Sequence, residues 1–180
     1  MKTLRIFSGL LIVLSVVFLN SCRKDQPYLT CKINGKEFTS LFRVSYRGNL
    51  PVVGESFLIT ATDGAVVTEG QYLTMLIRGV QEKDYNLDVE LTNGVYQAAA
   101  VYKPKGKNDT TSTYKYYGVS GHITLTKVDE KHKKISGTFE FTLKNKLGDV
   151  VKITEGKFEN LSYIQGVFST EEFNEDENQQ

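Results

Sequence analysis

The sequence has few of the residues that build catalytic or metal centres. Its 180 residues include two cysteines, two histidines and no tryptophan. The histidines, His122 and His132, lack the spacing of a metal-binding pair, so we expect both to be solvated. There is no serine-hydrolase elbow, no zinc-binding histidine motif and no phosphate-binding loop. We therefore expect no catalytic residues, no metal and no cofactor.

One catalytic alternative remains open at the level of sequence. Glycosidases need two carboxylates that face each other, and Glu140 and Glu155 lie on neighbouring predicted strands. Exposed carboxylates are nevertheless ordinary on strands, so a glycan-processing enzyme is the weaker hypothesis.

The N-terminal region has the features of a secretion signal. Residues 6–19 are mostly apolar and follow the basic residues Lys2 and Arg5. This run is shorter than the roughly 20 residues that a membrane-spanning helix needs. A short apolar run after a basic N-terminus is typical of a signal peptide.

The end of the apolar run points to a lipid anchor. Leu19-Asn20-Ser21-Cys22 resembles the lipobox of bacterial lipoproteins. The resemblance implies that Cys22 carries diacylglycerol and becomes the first mature residue. Cys31 would then be free, and we expect it to be a small buried hydrophobe. The alternative is an ordinary secreted protein in which Cys22 has no special role.

The sequence thus divides into a signal peptide (residues 1–21), a lipidated tether (22–28), one domain (29–168) and a disordered acidic tail (169–180). The tail has five carboxylates and little that could pack. Loss of residues 1–21 removes two of the 22 basic residues and none of the 21 acidic ones, so the charge changes from +1 to −1. A near-neutral chain is not expected to bind nucleic acid.

Alternation and turn signals indicate an all-β domain. Residues 135–144 place apolar side chains on one face and polar side chains on the other. Asn34-Gly35 and Asn93-Gly94 are strong hairpin signals, because both residue types tolerate positive φ. The alternation changes phase at Gly156, where we expect a β-bulge. We predict a single antiparallel β-sandwich or barrel.

Three C-terminal segments carry a resemblance to a known family. Residues 121–126, 134–141 and 153–158 resemble a domain of unknown function found in Bacteroidetes lipoproteins. That resemblance implies a β fold and an outer-membrane lipoprotein facing the periplasm or the cell surface. It implies no activity. Residues 23–25, Arg-Lys-Asp, resemble surface-export signals of such lipoproteins.

The binding hypothesis rests on tyrosines around one polar loop. Tyr102, Tyr114 and Tyr116 flank this loop and form a candidate patch for a protein or glycan ligand. Two other interpretations are that these tyrosines are ordinary strand residues, and that the domain is a barrel enclosing a small ligand. Within the loop, Thr110 lies in a short motif that resembles an O-glycosylation acceptor of Bacteroidetes.

The lipid anchor can be tested directly. Replacing Cys22→Ala removes the acylated sulfur, so incorporation of a palmitate analogue should be lost and the signal peptide should stay uncleaved. The measurement is gel-based detection of the labelled lipid in the native host. Palmitate label that persists in the Cys22→Ala variant would refute the lipid anchor.

Overall fold

The computed structural model describes residues 28–65, 70–106 and 112–167. Within these ranges the chain forms twelve β-strands, one short 3-10 helix and no α-helix. The elements are β1 Tyr28–Ile33, β2 Lys36–Thr39, β3 Phe42–Leu50, β4 Gly54–Thr62, β5 Tyr72–Ile77, β6 Asp84–Asn86, β7 Glu90–Thr92, β8 Val95–Tyr96, β9 Ala98–Lys103, the 3-10 helix Ser112–Tyr114, β10 Tyr116–Asp129, β11 Lys134–Lys144 and β12 Val150–Gln165.

Seven of the strands close into a barrel. This confirms the all-β prediction and shows that the domain is a barrel rather than a sandwich. Around the barrel the order is β3, β4, β5, β9, β10, β11 and β12, and β12 returns to β3. Every pairing is antiparallel except that of β12 with β3, which is parallel. The hairpin β1–β2 extends the sheet from β12, and β6 pairs with β10. Strands β7 and β8 form a separate two-stranded sheet.

The local turn predictions are confirmed. Asn34 and Gly35 both have positive φ, 49° and 79°, and join β1 to β2. Asn93 and Gly94 do the same between β7 and β8. In each case the two central residues take the left-handed conformation that matches the twist of a two-residue hairpin.

The bulge expected near Gly156 is present, and a second one follows it. The register of β11 with β12 shifts between Phe139 and Phe141, opposite Glu155, which has a φ of 53°. It shifts again opposite Asn160, which also has a φ of 53°. Bulges bend a strand and increase its twist, so β12 can curve along several neighbours.

Two glycines allow phenylalanine rings to pack flat against the sheet. Gly137 on β11 lies opposite Phe158 on β12, and Gly156 on β12 lies opposite Phe139 on β11. Both phenylalanines are fully buried. A Cβ atom at Gly137 would overlap the Phe158 ring and the carbonyl oxygen of Thr124. Each ring therefore occupies the space that the glycine opposite leaves empty.

This packing predicts a large difference between two glycine-to-alanine substitutions. Gly137→Ala should destabilise the protein by about 1–3 kcal/mol, because the added methyl group overpacks a dense core. Gly166→Ala is the control, since nothing lies within 4 Å of its Cβ position, and it should change stability by less than about 0.5 kcal/mol. Urea denaturation measures both variants. Equal stabilities would contradict the ring-over-glycine packing.

Candidate functional site

The structure places Tyr102 inside the barrel, so the prediction that it is exposed is wrong. Its side chain is only 5% exposed, and it shares the inward face of β9 with Ala98 and Ala100. The hydroxyl donates a hydrogen bond to Gln71 Oε1 at 2.7 Å. Burial raises the pKa of Tyr102 to about 12, with a smaller contribution from the Asp63 carboxylate.

The other two tyrosines are half-buried. The ring of Tyr116 lies 5.9 Å from that of Tyr102, and Tyr114 is in the 3-10 helix. The structure thus brings Tyr102 and Tyr116 into contact, but with Tyr102 in the core rather than in an exposed patch. Cys22 and Thr110 lie outside the described residues.

Cys31 is free and buried, as expected from the sequence. Burial, with a smaller contribution from the nearby Glu37, raises its pKa to about 12. The thiol is therefore neutral near pH 7 and unsuited to act as a nucleophile, since the thiolate is the reactive form.

The remaining titratable candidates have ordinary surface partners. The ring nitrogen Nδ1 of His132 lies 2.9 Å from the Asp129 carboxylate, and this hydrogen bond lowers the pKa of Asp129. Glu155 binds Lys32 Nζ at 2.7 Å, while Glu140 is the cross-strand neighbour of His122. Across the described ranges, no three His, Cys, Asp or Glu side chains are grouped as metal ligands would be.

The barrel interior is a packed core. Large side chains with at most 1% exposure fill it from several strands, and they include Phe57, Ile59, Met75, Tyr85, Phe139 and Phe158. A barrel of about eight strands has an interior that side chains can fill or that can hold one small ligand. Side chains fill the interior of the described barrel, so its packing does not favour the small-ligand interpretation.

One outer cleft lies where β3 and β12 separate. Its volume is about 270 Å³, and its lining includes Leu41, Phe42, Val44 and Leu161. Near its closed end the Ser45 hydroxyl donates a hydrogen bond to the Ser162 carbonyl oxygen at 2.8 Å. Leu41 is 70% exposed at the rim. The cleft is smaller than typical small-molecule sites of about 300–1,000 Å³.

A second outer cleft, of about 220 Å³, lies across β10, β11 and β12. Its lining includes the polar residues His122, Glu140, Thr142 and Lys152. Its aromatic lining residue, Phe141, is buried in the core and offers no ring face to a sugar. This cleft therefore lacks the aromatic platform of a typical glycan site.

The hairpin formed by β7 and β8 carries several exposed apolar side chains. Val89, Leu91 and Tyr96 are each at least 40% exposed. The base of the hairpin is held to the barrel by Arg78, whose Nη1 donates to the Tyr96 carbonyl at 2.7 Å and whose backbone N donates to the Gln97 carbonyl at 2.9 Å. The sequence analysis identified the Asn-Gly turn but not this exposed surface.

Because Tyr102 is buried and Tyr114 is half-buried, replacing each with alanine should lower the stability of the protein by different amounts. Tyr102→Ala should cost on the order of 3 kcal/mol or more, because it leaves a cavity in the core and Gln71 without its partner. Tyr114→Ala should cost much less, because that side chain is half exposed. Thermal denaturation of the two variants checks the ranking. A Tyr102→Ala variant as stable as the parent would contradict the buried position.

Comparison with known proteins gives a family without an assigned activity. No helix of the described ranges is both long and apolar enough to cross a membrane. No curated protein and no solved structure matches the chain at a significant level. A family model described as a domain of unknown function, DUF6252, matches residues 27–162. This match covers most of the chain, including all but the last three residues of β12, and the chain therefore belongs to the DUF6252 family.

Proposed function

We propose that this protein is a lipid-anchored, non-catalytic binding module of the bacterial outer membrane, and that it recognises a protein partner through the β7–β8 hairpin. The observation that carries the proposal is the exposure of Val89, Leu91 and Tyr96 on a projection whose base is fixed to the barrel.

The anchor is supported by the sequence. A basic N-terminus, a short apolar run and a lipobox-like segment precede Cys22. Stable anchoring needs more than one acyl chain or a second membrane contact, and a lipoprotein cysteine carries at least the two chains of diacylglycerol. Loss of palmitate labelling in the Cys22→Ala variant tests this half of the proposal by itself.

The hairpin has the properties of a recognition surface. Two-stranded hairpins are only marginally stable alone, but Arg78 and Gln97 hold this one at its base. Because the hairpin is already ordered, less conformational entropy is lost when a partner binds. It lies beside β5 and β9, which are on the opposite side of the barrel from β12. A partner can therefore bind there without meeting the tether, which leads to β1 on β12.

The chemistry of the hairpin favours a protein over a glycan. Val89 and Leu91 are aliphatic and cannot form hydrogen bonds with sugar hydroxyls through their side chains. Tyr96 adds a large amphipathic ring, a residue type that is enriched in protein interfaces. The expected partner presents an apolar surface of its own.

A photoreactive residue at Tyr96 tests the binding surface in the native host. We expect one discrete cross-linked product, identified by mass spectrometry, because Tyr96 would lie within the interface. The same residue placed at Leu147, a more exposed aliphatic position on the turn between β11 and β12, is the control and should give no such product. The partner, once purified, should bind a Leu91→Asp variant at least about tenfold more weakly.

Cross-linking from Leu147 and Tyr96 to the same products would show non-specific contact and refute the hairpin as the recognition surface. So would unchanged affinity of the Leu91→Asp variant for the purified partner. Neither outcome would affect the lipid anchor, which the palmitate experiment decides separately.

A further inference from the structure

Residues 127–134, which we call the lysine turn, form a basic projection at one end of the barrel. They link β10 to β11 and contain four lysines and two carboxylates. Lys127, Lys131 and Lys133 are exposed, and Lys134 is half-buried. The two carboxylates are held by their own partners, Asp129 by His132 at 2.9 Å and Glu130 by Arg47 at 3.0 Å.

A buried arginine holds this projection in place. Arg47 is almost fully buried between the rings of Phe57 and Tyr163, and it contacts Glu55 at 2.8 Å as well as Glu130. The backbone N of Tyr163 donates to the carbonyl oxygen of Lys133 at 2.9 Å. The backbone that carries these lysines is therefore held to the barrel at two points, Glu130 and Lys133.

The first described residue, Tyr28, lies near the same end of the barrel. Tyr28, the first residue of β1, pairs with Glu159 on one edge of β12, while Lys134 pairs with Ser162 on the other edge. Three residues along a strand are about 10 Å. Because β1 runs antiparallel to β12, its N-terminal end points toward the lysine turn. The cleft between β3 and β12, lined by Leu161 and Ser162, lies along this direction.

The tether is too short to move the barrel far from its lipid. Six residue steps separate Cys22 from Tyr28, and an extended chain spans at most about 3.3–3.6 Å for each step. The acylated end therefore stays within roughly 20 Å of Tyr28. Lysines near an acidic membrane surface are attracted to it over about one Debye length.

We propose that the lysine turn is a second membrane contact, which binds acidic lipid headgroups and orients the barrel with this end toward the bilayer. This inference rests on the proposed lipid anchor.

Vesicle sedimentation tests the contact without the acyl chains. A chain of residues 23–180 cannot carry the lipid but contains every described strand and the whole core. We expect it to sediment with vesicles that contain phosphatidylglycerol and not with pure phosphatidylcholine, and salt should weaken the binding. Each lysine near the surface contributes about a fivefold change in partitioning.

Substitutions compare two lysine sets of equal charge. The triple variant Lys127→Gln, Lys131→Gln, Lys133→Gln should bind at least about tenfold more weakly. The control variant Lys36→Gln, Lys144→Gln, Lys152→Gln removes the same charge from exposed sites at the other end of the barrel, and should lose about twofold or less. Equal losses in both variants, or no loss in the first, would overturn the proposal.

The acidic tail is the alternative occupant to be tested, because the last described residues lie at this same end, where the Gly166 backbone N donates to the Arg47 carbonyl oxygen. A chain of residues 23–167 lacks the five carboxylates and should bind vesicles at least as well as residues 23–180. Binding by the shorter chain alone would show that the tail covers the lysines, and would overturn the membrane contact.

The palmitate experiment separates this inference from the proposed function. If Cys22 carries the palmitate label but the lysine variants bind vesicles normally, only this inference fails. If Cys22 carries no label, the proposed function fails.

Discussion

The barrel depends on β12, which has to pair along both of its edges with partners from distant parts of the chain. One edge pairs with β11 over most of its length, and the other pairs first with β1 and then with β3. Backbone N–H and C=O groups inside a sheet need partners, so β12 must curve to meet all three strands. The bulges at Glu155 and Asn160 supply that curvature, and the parallel pairing with β3 then closes the barrel.

Closure and dense packing fill the barrel interior with side chains. The rings of Phe139 and Phe158 occupy space left by glycines on the opposite strand, and the interior has no polar cluster suited to a ligand among the residues described. On the outer surface, by contrast, different residue types are concentrated in different regions. Apolar side chains are exposed on the β7–β8 hairpin, and lysines are concentrated on the turn between β10 and β11.

These two surfaces lie on different sides of the molecule because of strand order. The barrel places β5 and β9 opposite β12, so the hairpin beside them is remote from the strand that holds β1 and the tether. Arg47 connects the lysine turn to the start of β4 through Glu130 and Glu55. A protein with this arrangement can meet a membrane at one end and a partner on the far wall.

Features governed by neighbouring residues could be predicted from the sequence. The hairpins at Asn34-Gly35 and Asn93-Gly94 depend on φ preferences of two residues, and the amphipathic face of β11 follows from the period of two. The change of phase at Gly156 predicted a bulge for the same local reason. The candidate site could not be predicted as well from the sequence. Tyrosines are abundant in the composition, but Tyr102 is buried in the core.

Alternation shows which residues share a face, but it cannot show what covers that face, because the covering strands come from remote parts of the chain. That is why the burial of Tyr102, the clamp around Arg47 and the exposure of the β7–β8 hairpin emerged only from the tertiary structure. The sequence by itself determined that the chain forms β-strands with defined turns. Tertiary structure alone decided that these strands close into a barrel, since closure requires β12 to pair with β3 more than 100 residues away.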